Sequence, residues 1–419
     1  MPFRTALSGL DAAQTDLEVT GHNIANAGTN GFKQSRAEFA DLYANSIEDV
    51  SATSAGRGVR VTRVAQQFTQ GNVDFTGNNL DLAINGEGFF VTKDDAGNTS
   101  YTRAGAYGVD REGRVVNHAG GRLQVFEPID DTGERFNTGA TKDLVLPAVS
   151  GQPSATSTLK ASLNLSSTES EPTVPFDPTD ATSYNHSSST TVYDSLGEAH
   201  TATMYYRRTA NAGEWNVYTY VDGAQANTNS PATITFDSNG ALKPGVGSVD
   251  AQGRMTLAYD PNGTGLLNNG ASSLNIEFDY SLTTQFGSDF AVNDMTQNGY
   301  TAGRLSGIDI DKGGVVFARF TNGQALALGK VALARFNNNQ GLRQQGDTSW
   351  AETYTSGDVQ LGEPGTSSLG LIQSGALENS NVDIAEQLVN LITAQRNYQA
   401  NAQVITTADS ITQTIINIR

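Results

Sequence analysis

Large apolar residues recur every seven positions at the start of the chain: Phe3, Leu10, Leu17 and Ile24, with Leu7 beside them and Ala6, Ala13, Thr20 and Ala27 on the accompanying positions. This is an a/d seam of the coiled-coil kind and predicts an amphipathic helix. At the other end, Val382 to Ile418 contains neither Gly nor Pro, and Leu388, Leu391, Tyr398, Ala402 and Ile405 mark one apolar stripe of a second long helix. Most amphipathic helices fold onto their own domain. Burying the four large N-terminal residues gains about 2 kcal/mol each, whereas ordering the segment costs about 1 kcal/mol or more per residue. Isolated helices are marginal in water, so the stripe needs a partner. Paired terminal helices acting as polymerisation arms (residues 1–30 and 376–419) are the expected arrangement.

The first helix runs into "NIANAGTNGFK", Asn23 to Lys33, which reads as a joint between a helical arm and a globular body. Gly28, Asn30 and Gly31 adopt left-handed conformations at low cost, so they, with Asn26, are expected to end the helix and redirect the chain. Phe32 is expected to anchor the turn on an apolar surface. The arm is expected to be loose in the monomer and locked in an assembly.

Between the helices the pattern changes to short apolar runs separated by turns, which predicts a mainly β body. D-x-x-G recurs at Asp94–Gly97, Asp110–Gly113, Asp130–Gly133, Asp194–Gly197, Asp237–Gly240, Asp260–Gly263 and Asp311–Gly314. Asp at the first position and Gly at the fourth suit type I turns, so these are read as hairpin turns. Calcium-binding rolls also use Asp and Gly, but they need a short fixed period that these irregular intervals lack. Composition divides the body into a connecting segment (31–70), a discontinuous β domain (71–147 plus 291–375) and an inserted, Ser/Thr/Asn-rich outer β domain (148–290). Residues 51–60 form only a short connection.

The chain has 419 residues, enough for several packed units. Its net charge of -18, with 26 dispersed Lys and Arg, argues against nucleic acid and anionic membranes as partners. No apolar run is long enough for membrane insertion. Asp11, Asp16 and Glu18 interrupt the segment where a cleaved signal peptide would need its apolar stretch. The absence of cysteine excludes disulfides and thiolate chemistry. The 4 histidines, His22, His118, His186 and His200, show no metal-ligand spacing and read as surface or turn residues. "NAGTNGFK" fails the phosphate-loop spacing, and no nucleophile elbow is present. No enzyme activity, cofactor or metal is expected.

Both ends carry a resemblance. "ALSGLDAAQTDLEVTGHNIANAGTNGFKQSRAEF" and "ALENSNVDIAEQLVNLITAQRNYQANAQVITTADSITQTIINIR" resemble the terminal signatures of the bacterial flagellar rod and hook axial family. "TGNNLDLAINGEGFFV", "TTVYDSLG", "TQNGYTAG" and "NNNQGLRQQGDTSW" are similar to interior segments of its hook members, and the large insertion favours hook over distal rod. The resemblance implies a subunit exported without a cleaved signal through the flagellar type III apparatus, which polymerises outside the cell into a curved tube joining rod to filament. Terminal helices would line its inner wall. It further implies a universal joint transmitting torque, with the distal rod protein, hook cap and hook–filament junction protein as neighbours. A distal rod-type protein is one alternative; a secreted calcium-dependent adhesin or surface-layer protein, motivated by the acidic, β-rich, cysteine-free composition, is another.

Overall fold

The computed structural model of the chain describes residues 2–42, 58–130, 133–147, 150–225, 231–259, 269–366 and 368–417. The turn expected at Asp260–Gly263 and most of the connection at 51–60 lie outside the described residues. The described chain is mainly β, with helix α1 (Pro2–Ala25) and helix α2 (Ile384–Asn417) towards its ends. It divides into two compact units, one of residues 1–147, 306–319 and 325–419, the other of residues 148–305 and 320–324.

The first unit contains both helices. After α1 the chain forms an antiparallel hairpin, Ser35–Asp41 with Val59–Gln66, bulged between Glu38 and Phe39. Its sheet runs, by neighbour, Val315–Phe320, Ala325–Val331, Arg122–Pro128, Phe89–Lys93, Thr99–Thr102, Ser349–Ala351 and Arg343–Gly346. Phe89–Lys93 is covered on both faces, which is why it reads as an unbroken apolar run instead of alternating. Phe90 joins Leu82, Ile84, Leu123, Val125, Val316 and Val331 in one core. Phe89 and Val91 face a second with Tyr101, Phe126, Phe336 and Trp350. Two short pairs bring the start and end of this unit together: Val73–Phe75 with Ala376–Glu378, and Leu82–Asn85 with Leu371–Ser374.

The second unit packs a four-stranded sheet (Arg254–Tyr259, Leu274–Asp279, Thr158–Asn164, Ala291–Gln297) and a five-stranded one (His186–Tyr193, Ala199–Arg208, Glu214–Val221, Ala224–Gln225, with Ala232–Thr235 also on Glu214–Val221) around one core. Glu214–Val221 and Arg254–Tyr259 alternate strictly between buried and less buried positions, the signature of strands with one face inward. Trp215, Met204, Tyr206, Ile234, Leu257 and Phe278 fill the space between the sheets. Composition assigns 291 onward to the other domain, but Ala291–Gln297 is hydrogen-bonded to Thr158–Asn164 in this unit. The strand is largely exposed, so backbone pairing decides its place and hydrophobicity gives no signal.

The D-x-x-G turns at Asp94, Asp110, Asp130, Asp194, Asp237 and Asp311 each return a glycine N–H to the aspartate carbonyl, and each of those glycines has positive φ. Asp250–Gly253, which the sequence reading passes over, forms the same turn, with the Gly253 N–H 3.1 Å from the Asp250 carbonyl and φ of 81°.

Candidate functional site

Helices α1 and α2 pair antiparallel: Gly9 lies against Asn401, and Asn23 donates to Gln387 Oε1 at 3.2 Å. Helix α2 starts on an N-cap, Asp383, whose Oδ1 accepts the Ala385 N–H at 2.8 Å. Small residues make the pairing close. Ala6, Ala12, Ala13 and Thr20 are buried on α1, as are Ala394 and Gln387 on α2. A Cβ built on Gly9 would come within 2.5 Å of the Asn401 side chain, so glycine sets the approach.

Several large apolar residues are left exposed. Phe3 is 43% and Leu7 54% exposed, while Leu10, Leu17 and Ile24 are half-buried. On α2, Leu391, Ala402 and Ile405 are half-buried, but Leu388 and Tyr398 are exposed. Ile384, Val389, Ile392, Val404 and Ile411 are exposed too. Sequence reasoning missed them by committing to one stripe; the four-residue step of Ile384, Leu388 and Ile392 is the signal that would have found part of a second. Full burial of such a side chain is worth about 1.5–3 kcal/mol, and each, being about half exposed, forgoes a corresponding part of it.

The joint after α1 is fastened more firmly than its composition suggests. The Asn26 and Thr29 N–H groups bond back to His22 and Asn26 carbonyls, unwinding the helix through turns. Of Gly28, Asn30 and Gly31, only Gly31 takes a left-handed conformation, with φ of 69°. A Cβ there would approach Ala104 N to 2.4 Å, whereas one on Gly28 would meet nothing within 4 Å. Gly31 N–H donates to the Glu378 carbonyl at 2.7 Å. Phe32 is buried, its ring 5.5 Å from that of His22.

Next to Phe32, Lys33 is fully buried. Its Nζ meets Glu378 Oε1 at 2.5 Å and the Thr69 carbonyl at 2.7 Å. Arg103 donates to Glu378 Oε2 at 3.1 Å and to the Gly86 carbonyl at 2.8 Å. The Gly71 N–H also donates to Glu378 Oε1, at 3.0 Å. One carboxylate thus holds two cations, with backbone carbonyls supplying the remaining acceptors. Burial pushes the Lys33 ammonium below its ordinary range; Glu378 opposes the shift and Arg103 adds to it. The triad knots the chain after α1 to the strand that leads into α2. Asn381 continues it, accepting the Gln34 N–H at 2.8 Å and donating to the Gln67 carbonyl at 2.8 Å.

The histidine expectation is corrected for His200. It is buried rather than at the surface, between two aspartates.

Residues 3–33 match the flagella basal body rod protein model, and residues 373–418 the C-terminal model of the flagellar basal body rod FlgEFG proteins. Between them, residues 83–157 match the D1 domain of flagellar hook protein FlgE/F/G, and residues 164–300 the flagellar basal body protein FlaE D2 domain. Flagellar hook protein FlgE of Salmonella typhimurium is 39% identical over 425 residues, covering 100% of both chains. That of Borreliella burgdorferi is 33% identical, covering 99% of this chain and 98% of the relative. A crystal structure of Helicobacter pylori flagellar hook protein FlgE2 shares the fold, with a TM-score of 0.54 at 15% identity over 73% of this chain and 100% of that one.

A mainly β chain with paired terminal helices, matching axial-component models at both ends and through its middle, is a flagellar axial subunit. It belongs to the flagellar hook protein FlgE family, whose members are structural subunits of the bacterial flagellar hook. The distal rod and calcium-adhesin alternatives are not favoured. Among the described residues, no helix is long and apolar enough to cross a membrane.

Proposed function

We propose that this chain polymerises with copies of itself into a flexible curved tube, a universal joint that carries torque from rod to filament. The observation that supports this is the apolar surface of α1 and α2. Their mutual seam is made largely of small residues, leaving Phe3, Leu7, Leu388, Val389 and Ile392 for neighbouring subunits. A continuous apolar seam resists twisting, while the more polar outer unit makes wetter contacts that slide as the tube bends. The joint from Asn26 to Phe32 sets the angle between arm and body as subunits lock together. Export through the flagellar type III apparatus and contact with distal rod, hook cap and junction proteins belong to the same reading.

Leu7→Asp and Val389→Asp test it. Both side chains are exposed in the single chain, so the circular dichroism and melting of the monomer should remain those of the parent. Salt-induced polymerisation, followed by electron microscopy, should be lost. Normal curved tubes from either variant would refute the proposal.

A further inference from the structure

His200 lies in the second unit, on the strand Ala199–Arg208. Its ring is 2% exposed, and its Nε2 has no hydrogen-bond partner. That nitrogen faces Asp194 Oδ2 at 3.4 Å. Donor atoms of Asp194, Glu198 and His200 all lie within 4.8 Å of one another. The other ring nitrogen, Nδ1, is 2.8 Å from Asp222 Oδ2.

We infer that Asp194, Glu198 and His200 form a binding site for a divalent transition-metal ion of the zinc class. Chemistry and geometry both point there. An imidazole nitrogen with two carboxylate oxygens suits zinc, whereas calcium prefers six or more oxygens. Zinc held at about 2.0–2.1 Å in a tetrahedron sets its ligands about 3.4 Å apart. The His200–Asp194 spacing already equals that value, and the third ligand needs to draw in by about 1.4 Å at most.

The surroundings are organised in the same sense. A carboxylate on the far nitrogen of a metal-binding histidine fixes its tautomer and aims the near one, and Asp222 provides it. Asp222 adopts φ of 48° in a hairpin turn, and its Oδ1 accepts the Thr201 N–H at 2.8 Å. Asp194 Oδ1 is committed to its turn, accepting Leu196 and Glu198 N–H groups at 2.9 and 2.8 Å, so Oδ2 is the oxygen that faces the site. Asn269 Nδ2 now bridges Asp194 Oδ2 and Glu198 Oε2 at 2.7 and 2.9 Å. This amide donor stands where the two carboxylates converge on positive charge, and a cation would displace it. A bound ion would clip the Asp194–Gly197 turn to the strand Ala199–Arg208 and stabilise the second unit.

The full-length monomer, stripped with chelator and titrated with zinc chloride, tests the inference independently of the assembly reading. Binding of one ion per chain and a higher Tm are expected, with calcium chloride producing neither. Glu198→Gln, whose amide oxygen can still accept from Asn269, should weaken zinc binding at least about tenfold and shrink the zinc-dependent rise in Tm. Asp222→Asn should weaken it similarly. No zinc-dependent shift, an equal response to calcium, or undiminished binding by Glu198→Gln would overturn the proposal.

Discussion

At the residue scale, the most consequential side chain is Glu378. It pairs with both Lys33 and Arg103 where none of the three has more than slight exposure. Removing it would strand two buried cations, and breaking a buried pair costs about 3–5 kcal/mol. Glu378→Ala should therefore lower the stability of the first unit by about that much, measured by denaturant unfolding. Lys33→Met, which removes one cation and keeps the apolar stem, should cost clearly less. Equal losses would show that the pairing is not what matters. Neither Lys33 nor Glu378 stands out in the sequence, because the contact joins residues 345 positions apart.

At the element scale, the sequence made both helices legible, since heptad spacing and freedom from Gly and Pro are local properties. Which face meets which was not legible. The large residues look like the seam, yet Ala6, Ala13 and Ala394 are the buried ones and the close approach is at Gly9 against Asn401, because small side chains let two helices approach. Gly9→Leu should force the helices apart against Asn401 and cost about 1–3 kcal/mol of helix docking. Helical circular dichroism on heating would register it, and polymerisation should fall with it. Asn401→Ala in the same chain should recover part of both; no recovery would place the clash elsewhere.

At the scale of the whole molecule, both units hold buried tyrosines in their cores. Burial pushes Tyr206 in the second unit up to about 12, with its hydrogen bond to Ser188 opposing the shift, and raises Tyr280 well above its ordinary value. Tyr107, in the first unit, is raised by burial as well. A tyrosine whose folded pKa is raised contributes stability fully below its unfolded pKa of about 10 and loses it as pH climbs through the folded value. Stability should thus fall above about pH 10. In a spectrophotometric titration, part of the chain's 14 tyrosines should ionise only as β-structure is lost by circular dichroism. Ionisation of all of them before any such loss would contradict the assigned burial.

The sequence by itself determined what depends on near neighbours: two terminal helices, strands between glycine-closed turns, and a chain without thiol chemistry. The Asp-first, Gly-fourth turns were readable because an aspartate needs only the next few N–H groups and glycine only its own φ. Tertiary structure alone decided what depends on distant partners. It gave Ala291–Gln297 to the second unit through backbone pairing, buried Lys33 against Glu378, and closed Asp194, His200, Asp222 and Asn269 around one point. Burial and charge pairing are set by what the folded chain brings from tens or hundreds of residues away, and local patterning carries no record of that.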